Sequence, residues 1–388
     1  MSDKTLFVAV ATLYTLSIVM VYSLSVYTTH FYGYSDMHFL IRQIVAVTVA
    51  MFIILFLSRL DPDKWFVKLG FTILIVSLVT MLAMPFLPST MVKEIMGAKR
   101  WVKLGPVSLA PVEFFKIGFV FFTAWSFNRR LIHQGELSFT EELRVIMPYF
   151  FVFLGLVILI AIFQKDLGQV VVLAIMLLVM LVIAGRSMKL FSSFILFGLI
   201  TGVILIQIAP HRIKRVKEWW GVAQDRFLSL VPDIIGDKLR VDNVTEPYQV
   251  SHSLNAIQNG SWFGTGLGNG FFKFGYLSEI HTDFILSGIS EELGFITLLG
   301  VCFVMLLILF RMLRIASRLN SPVYYLFTVG VALLILFAFV MNSYGISGMT
   351  PVKGIAVPFL SYGGSQIVAG AVAVGMVLMV SKKVKPKK

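Results

Sequence analysis

Ten runs of about twenty apolar residues divide this chain of 388 residues, and a helix needs about twenty such residues to cross the hydrocarbon of a bilayer. The runs cover 5–27, 40–58, 69–87, 107–127, 145–164, 167–185, 190–209, 284–310, 322–344 and 355–380. In hydrocarbon every peptide group must bond to another part of the protein, so such runs fold as helices. Composition agrees: 58% of the residues are hydrophobic and 14% charged, where a soluble domain carries about 25% charged residues. That excludes a soluble enzyme, a disordered chain and a nucleic-acid binder. The expected fold is an all-α polytopic membrane protein of about ten transmembrane helices. Residues 1–388 form a single domain, with a large extracytoplasmic loop, 210–283, between helices seven and eight. The first run is too long for a signal-peptide core and no small-residue cleavage site follows it, so it is expected to stay as an anchor.

Ten spans put both termini on one side of the membrane. Lys and Arg on that side outnumber Asp and Glu by seventeen to six, which makes it cytoplasmic by the positive-inside rule. Two external segments stand out. The loop after span three, 88–106, carries four cations and one anion, against the topological bias. The loop 210–283 carries eight of each, with Trp219, Trp220 and Trp262. Long loops translocate largely regardless of charge, and the aromatic content argues for order. The stretches 212–231 and 248–258 read as short amphipathic helices resting at the interface.

The chemistry-bearing residues begin with absences. Six histidines, at 30, 38, 133, 211, 252 and 281, form no pair at ligand spacing. There is no Walker A sequence and the single cysteine, Cys302, permits no intramolecular disulfide. Gly264, Gly266, Gly268 and Gly270 alternate with other residues, but the spacing is wrong for a dinucleotide fingerprint. These glycines are expected to let the backbone turn tightly or approach a ligand closely.

Charges at membrane depth are more informative, because each is costly unless paired or functional. Glu113 and Lys116 share a face of span four, either as an internal ion pair or in contact with a substrate. Glu291 and Glu292 begin span eight, where they are either solvated at the helix end or, for one of them, on the same wall as Asp283. Asp283 stands at the external mouth of span eight. It fits an N-cap first, and capping does not exclude catalysis, since a half-solvated carboxylate there can also take a proton. Lys99, Arg100 and Lys103 flank Trp101 outside, where they suit lipid headgroups or a lipid-linked pyrophosphate.

Five stretches together resemble a known family. They are Gly97-Ala98-Lys99-Arg100-Trp101 with Pro111-Val112-Glu113-Phe114-Phe115-Lys116; Gln164-Lys165-Asp166-Leu167-Gly168; His281-Thr282-Asp283-Phe284-Ile285; Glu291-Glu292-Leu293-Gly294; and Pro358-Phe359-Leu360-Ser361-Tyr362-Gly363-Gly364-Ser365. The chain resembles the SEDS proteins of bacteria, named for shape, elongation, division and sporulation. It departs from their pattern at Lys165, where a proline is usual, and at Ala110 and Val112, where Gln and Ser are more common.

The resemblance implies a peptidoglycan glycosyltransferase of the inverting type. The substrate would be lipid II, a disaccharide-pentapeptide on undecaprenyl pyrophosphate, polymerised at the outer face of the bacterial cytoplasmic membrane. On this basis Asp283 is the catalytic base. Arg100, Lys116 and Lys353 are candidates for phosphate contact, and Lys103, Glu113, Asp166, His281, Ser361, Gly363, Gly364 and Ser365 complete the candidate substrate-binding set. A divalent cation, Mg or Mn, could share the phosphate role with Asp166 or Glu113 as helpers, and no nucleotide is expected. Thr350-Pro351-Val352-Lys353-Gly354 is closer to division-type members than to elongation-type ones, which implies a septal location. The implied partners are a class B penicillin-binding protein transpeptidase and other divisome proteins. Three alternatives remain: an elongation-type polymerase for cell shape, a lipid II flippase or other transporter, and a scaffold without chemistry of its own.

Overall fold

The computed structural model describes residues 3–88, 90–95, 98–105, 107–130, 138–185, 187–229, 240–241 and 247–384. Gly97 and His133 lie outside these residues, as do Glu136, Arg186, Lys385, Lys387 and Lys388, which enter the cytoplasmic charge balance.

The helices are α1 (Lys4–Leu24), α2 (Val26–Phe31), α3 (His38–Arg59), α4 (Pro62–Ala83), α5 (Pro111–Arg130), α6 (Phe139–Ile158), α7 (Leu167–Ile183), α8 (Met188–Gln207), α9 (Pro210–Leu228), α10 (Tyr248–Gly260), α11 (Ile285–Ala316), α12 (Pro322–Ile346) and α13 (Gly364–Val380). Among the described residues eight helices are long and apolar enough to cross a membrane: α1, α3, α4, α6 with the π-helical turn Leu159–Phe163 that extends it, α8, α11, α12 and α13. Of the ten expected spans, α7 is apolar but has 17 residues, and α5 is diluted by Glu113, Lys116, Arg129 and Arg130.

Local chemistry sets several helix starts. Asp3 accepts from the Leu6 amide at 2.9 Å to cap α1. Asp61 precedes Pro62 at the start of α4, where the missing proline N–H costs nothing. Asp3 also pairs with Arg311 at 2.5 Å, and Asp63 pairs with Lys383 and accepts from Tyr324. These contacts gather the starts of α1, α4 and α12 and the ends of α11 and α13 at one end of the bundle. Inside it, α13 packs along α3, α4 along α5, and α11 along α1 and α12.

The structure differs from expectation in four places. The chain is not purely helical: β1 (Val92–Ile95), β2 (Ala98–Leu104) and β3 (Val107–Leu109) form an antiparallel meander in order β1-β2-β3. Val92 and Val102 bury against Met84 at the end of α4. The fourth span therefore starts at Pro111 and not at 107, because 107–109 pair as a strand. The tenth starts at Gly364 and not at 355, because the apolar segment 355–363 is irregular chain buried against its neighbours. Helix α10 forms as expected, but Val250, Ser253, Ala256 and Gly260 pack on protein, along α11, and not on a membrane interface.

The fourth difference concerns α11, whose 32 residues would extend about 48 Å at 1.5 Å per residue, well beyond a hydrocarbon core of about 30 Å. The helix breaks at Gly294, with φ +83°. A break frees backbone groups that must find partners, and the segment after α10 supplies them. Ser261 O accepts from Phe295 N at 2.9 Å and Trp262 O from Ile296 N at 3.2 Å. In return the amides of Thr265 and Gly266 donate to Glu291 O and Glu292 O, each at 2.9 Å.

Glu291 and Glu292 are consequently buried rather than solvated at a helix end. The Glu291 carboxylate accepts from the amides of Phe271 (2.6 Å) and Phe272 (3.2 Å) and from Asn259 Nδ2 (3.0 Å). Glu292 pairs with buried Lys273 at 2.7 Å and accepts from Ser23 Oγ at 2.6 Å and Gly268 N at 3.1 Å. The glycine-rich run thus wraps two buried carboxylates of its own chain.

A Cβ at Gly294 would lie 2.4 Å from Trp262 O and 2.5 Å from Gly264 N, at a φ that L residues avoid. Gly294→Ala is expected to cost about 1–3 kcal/mol and to lower the melting temperature in detergent. Gly300→Ala, where nothing lies within 4 Å, is expected to be neutral or stabilising in the same measurement.

Candidate active site

The site forms where irregular segments meet at the end of the bundle away from the Asp3–Arg311 pair. Its floor is polar. Lys116 Nζ lies 2.8 Å from Glu113 Oε2 on the next turn of α5. Gln169 on α7 bridges them, accepting from Lys116 Nζ at 2.9 Å and donating to Glu113 Oε1 at 3.2 Å. The Gln169 amide in turn donates to Asp166 Oδ1 at 3.3 Å, which makes Asp166 the N-cap of α7. Burial pushes the Asp166 carboxyl above its ordinary range, against the pull of Arg100.

Arg100 on β2 reaches across to the turn before α7. Its Nε donates to Gln164 O at 2.9 Å and its Nη2 to Lys165 O at 2.8 Å. Lys165 has φ +53°, a value closed to a proline ring, which is held near −65°. At this departure from the family pattern, the backbone takes a shape that proline could not.

Asp283 occupies a short non-helical link held from three sides. Asn342 Nδ2 on α12 donates to both Asp283 O (2.6 Å) and Ile355 O (2.7 Å). Ser361 Oγ donates to Thr282 O at 2.6 Å, and the Tyr362 amide to His281 O at 2.9 Å. Gly354 sits against the carboxylate: its φ is +63°, and a Cβ there would be 3.1 Å from Asp283 Oδ2. The N-cap of α11 is Phe284, with no side-chain cap, so the capping reading of Asp283 does not hold.

Burial, then Glu279, then Asp166 raise the Asp283 carboxyl to about 6, while Arg100 and Arg215 oppose the rise. Lys353 lines the same crevice as Asp283, Asn342 and Gly354. Its Cβ would touch a side chain at Gly168 (3.4 Å), and burial lowers its ammonium below the ordinary lysine range.

Asp283, Arg100, Asp166 and Lys353 therefore converge, with Glu113 and Lys116 beneath them. Lys103 does not join them. It is exposed on β2 opposite Ser108, and three residues along a strand put it on the other face from Arg100. His281 is buried between Phe39 and Tyr362, and burial lowers its imidazole, opposed by Glu279. Ser361 and Ser365 direct their hydroxyls to main chain. Ser365 accepts from Ala110 N at 2.8 Å and donates to Ser108 O at 3.1 Å, tying α13 to the start of α5. Gly363 is the N-cap position of α13 and Gly364 its first residue. Among the described residues no three of His, Cys, Asp and Glu come together as a metal cage would require. Asp166 and Glu113, the expected helpers, are engaged by α7 and Lys116.

Sequence reading missed Asn342, Gln169, Glu279 and Arg215. A buried Asn and Gln inside apolar runs were the available signals for the first two. Glu279 and Arg215 lie in a long loop with nothing local to distinguish them.

The chain matches the family FTSW_RODA_SPOVE, described as "cell cycle protein", over residues 4–386. It is 46% identical over 386 residues to a protein of Helicobacter pylori named "Probable peptidoglycan glycosyltransferase FtsW", covering 99% of both chains. A protein of the same name from Trichlorobacter lovleyi is 32% identical, covering 99% of this chain and 94% of that one. Among solved structures, a chain of a peptidoglycan synthase complex aligns with TM-score 0.71 at 24% identity, covering 98% of both. The rod shape determining protein RodA of Thermus thermophilus aligns with TM-score 0.64 at 22% identity, covering 100% of this chain and 98% of that one.

A carboxyl raised from 3.8 to about 6 holds its proton more tightly folded than unfolded. Its contribution to stability is full below about pH 3.8 and is lost as pH rises through about 6. Asp283→Asn removes that loss. The variant is expected to be more stable than wild type at pH 7.5, by at most about 3 kcal/mol, and so to melt higher, with the difference vanishing near pH 4. Differential scanning fluorimetry at both pH values checks it.

Proposed function

Since the chain belongs to the FTSW_RODA_SPOVE family of cell cycle proteins, we propose that it is a division-type peptidoglycan glycosyltransferase that polymerises lipid II, with Asp283 as general base. The observation that carries this reading is a carboxylate raised to about 6 beside Arg100 and Lys353. A base poised near working pH is what proton abstraction from a sugar hydroxyl needs, and cations beside it suit a departing pyrophosphate.

In the proposed step, ionised Asp283 takes the proton of the acceptor GlcNAc 4-hydroxyl. That oxygen forms the new bond to the MurNAc anomeric carbon of the donor, and the carbon–oxygen bond to the pyrophosphate breaks. Undecaprenyl pyrophosphate leaves with the bonding electrons, and α configuration becomes β. Arg100 and Lys353 receive the charge on the leaving group, and Lys116, held by Glu113 and Gln169, adds positive potential beneath.

The basic end of the bundle, with both termini, lies in the cytoplasm in this reading, and the Asp283 end at the outer face of the cytoplasmic membrane, at the septum. The partner would be a class B penicillin-binding protein within the divisome. Support comes from the solved peptidoglycan synthase complex, described as coordinating polymerization and crosslinking, whose chain shares this fold.

Purified Asp283→Asn is expected to fold and to lose about 10²–10⁴-fold in lipid II polymerisation. Wild-type rates should fall on the acid side of pH 6, as the base takes up its proton. Full polymerisation by Asp283→Asn would remove the base and favour a transporter. Lys353→Thr should weaken use of lipid II at limiting concentration, and wild-type kinetics in that variant would remove the phosphate role of Lys353.

A further inference from the structure

Helix α9 lies on the protein as a strap, tied near its start and again at its middle. Arg212 near its start donates from Nη1 to Leu205 O (2.8 Å) and from Nη2 to Ala161 O (2.7 Å). Those carbonyls lie in the last turn of α8 and in the π-helical turn after α6, where helix ends and bulges leave acceptors without intrahelical partners. Further along, Trp219 Nε1 donates to Gly348 O at 2.9 Å, in the segment leading to Lys353. Positions 212, 215 and 219 are spaced i, i+3 and i+7, so they share one face of α9. The two outer ones are docked on the protein, and Arg215 lies between them on that docked face. Neighbouring Lys214 pairs with Glu218 (3.8 Å), whereas Arg215 has no ion-pair partner among the described residues and is exposed.

We propose that Arg215 is a further substrate-contacting residue, a guanidinium that α9 presents over Asp283 to grip the diphosphate of the lipid-linked donor. This rests on the glycosyltransferase reading above and deepens it. The diphosphate is then held from two elements, Arg100 from the sheet and Arg215 from the strap, and two guanidinium planes can each engage two oxygens. The charged groups that face Asp283 are Glu279 on its own segment, Asp166 before α7, Arg100 on β2, Lys353 after α12 and Arg215 on α9, while His281 on the same segment is turned between Phe39 and Tyr362. Arg215 and Arg100 stabilise the carboxylate; Glu279 and Asp166 oppose it.

The test compares Arg215→Ala, Arg215→Lys and Lys217→Ala in the full chain. Lys217 is an exposed cation 200° around the helix from Arg215 and serves as the control. Arg215→Ala is expected to lower kcat/KM for lipid II about 10–100-fold. It should also move the acid limb of the pH–rate profile upward, because the carboxylate loses a cation. Arg215→Lys should restore the acid limb and part of the rate, and Lys217→Ala should change neither. Unchanged kcat/KM in Arg215→Ala, equal loss in Lys217→Ala, or lost rate with an unmoved acid limb would each overturn the proposal. Affinity for undecaprenyl diphosphate in detergent gives a readout independent of turnover. If wild type binds it but does not polymerise lipid II, the glycosyltransferase reading falls alone. Weaker binding by Arg215→Ala then still supports the grip, and equal binding by both proteins overturns it.

Discussion

A peptide group inside a bilayer has no water to bond with, so a membrane protein that leaves the helical path must provide a partner for each group it frees. This chain leaves that path at the π-helical turn after α6, at Gly294, in the 279–284 link and in the 347–363 segment. At each place a side chain or a neighbouring strand of backbone takes up the freed groups. Arg212 and Arg100 bind carbonyls around the π turn, Asn342 binds carbonyls of two segments at once, and Ser361 joins the 282 link to the 357 turn. The site is assembled from these repairs. Remove Asn342 and two non-helical strands lose their common donor in a region with little water to replace it.

The same economy governs charge. Buried carboxylates in this end of the molecule fall into two kinds. Glu291, Glu292 and Glu113 are saturated by amides or by a lysine, and such groups are structural. Asp166 is raised by burial as well, but its carboxylate accepts from the Gln169 amide as the cap of α7; Asp283 has cations at a distance, a raised carboxyl and no amide on it among the described residues. A carboxylate bound by several amides is a poor base because its charge is already satisfied. The group left short of partners is the one able to take a proton, which separates the candidate base from its acidic neighbours on physical grounds.

The spans were legible in the sequence because a twenty-residue apolar run has few other outcomes, and Asp283 and Arg100 were legible because they belong to recognisable stretches. What escaped was tertiary. The run 355–363 is as apolar as a helix, yet buries itself as irregular chain. Val107 to Leu109 pairs with β2 because its register fits, a fact that hydropathy does not carry. For Glu291 and Glu292 the sequence allows a solvated helix end or a wall shared with Asp283, and only the tertiary wrap of the glycine-rich loop around them decides. The i, i+3, i+7 spacing of Arg212, Arg215 and Trp219 was present in the sequence. Only the carbonyls they meet show which face of α9 is turned down.

The break at Gly294 also divides labour along α11. The part beyond it, 295–316, would extend about 33 Å, close to the thickness of a bilayer's hydrocarbon. The part before it, 285–293, is enclosed by protein and continuous with Asp283. A helix of fixed length meets a thinner or thicker bilayer by tilting. The break at residue 294 lets the two parts run in different directions, and the backbone hydrogen bonds across it fix the angle between them, so the spanning part can be set to the bilayer while the part that carries Asp283 is set to the protein.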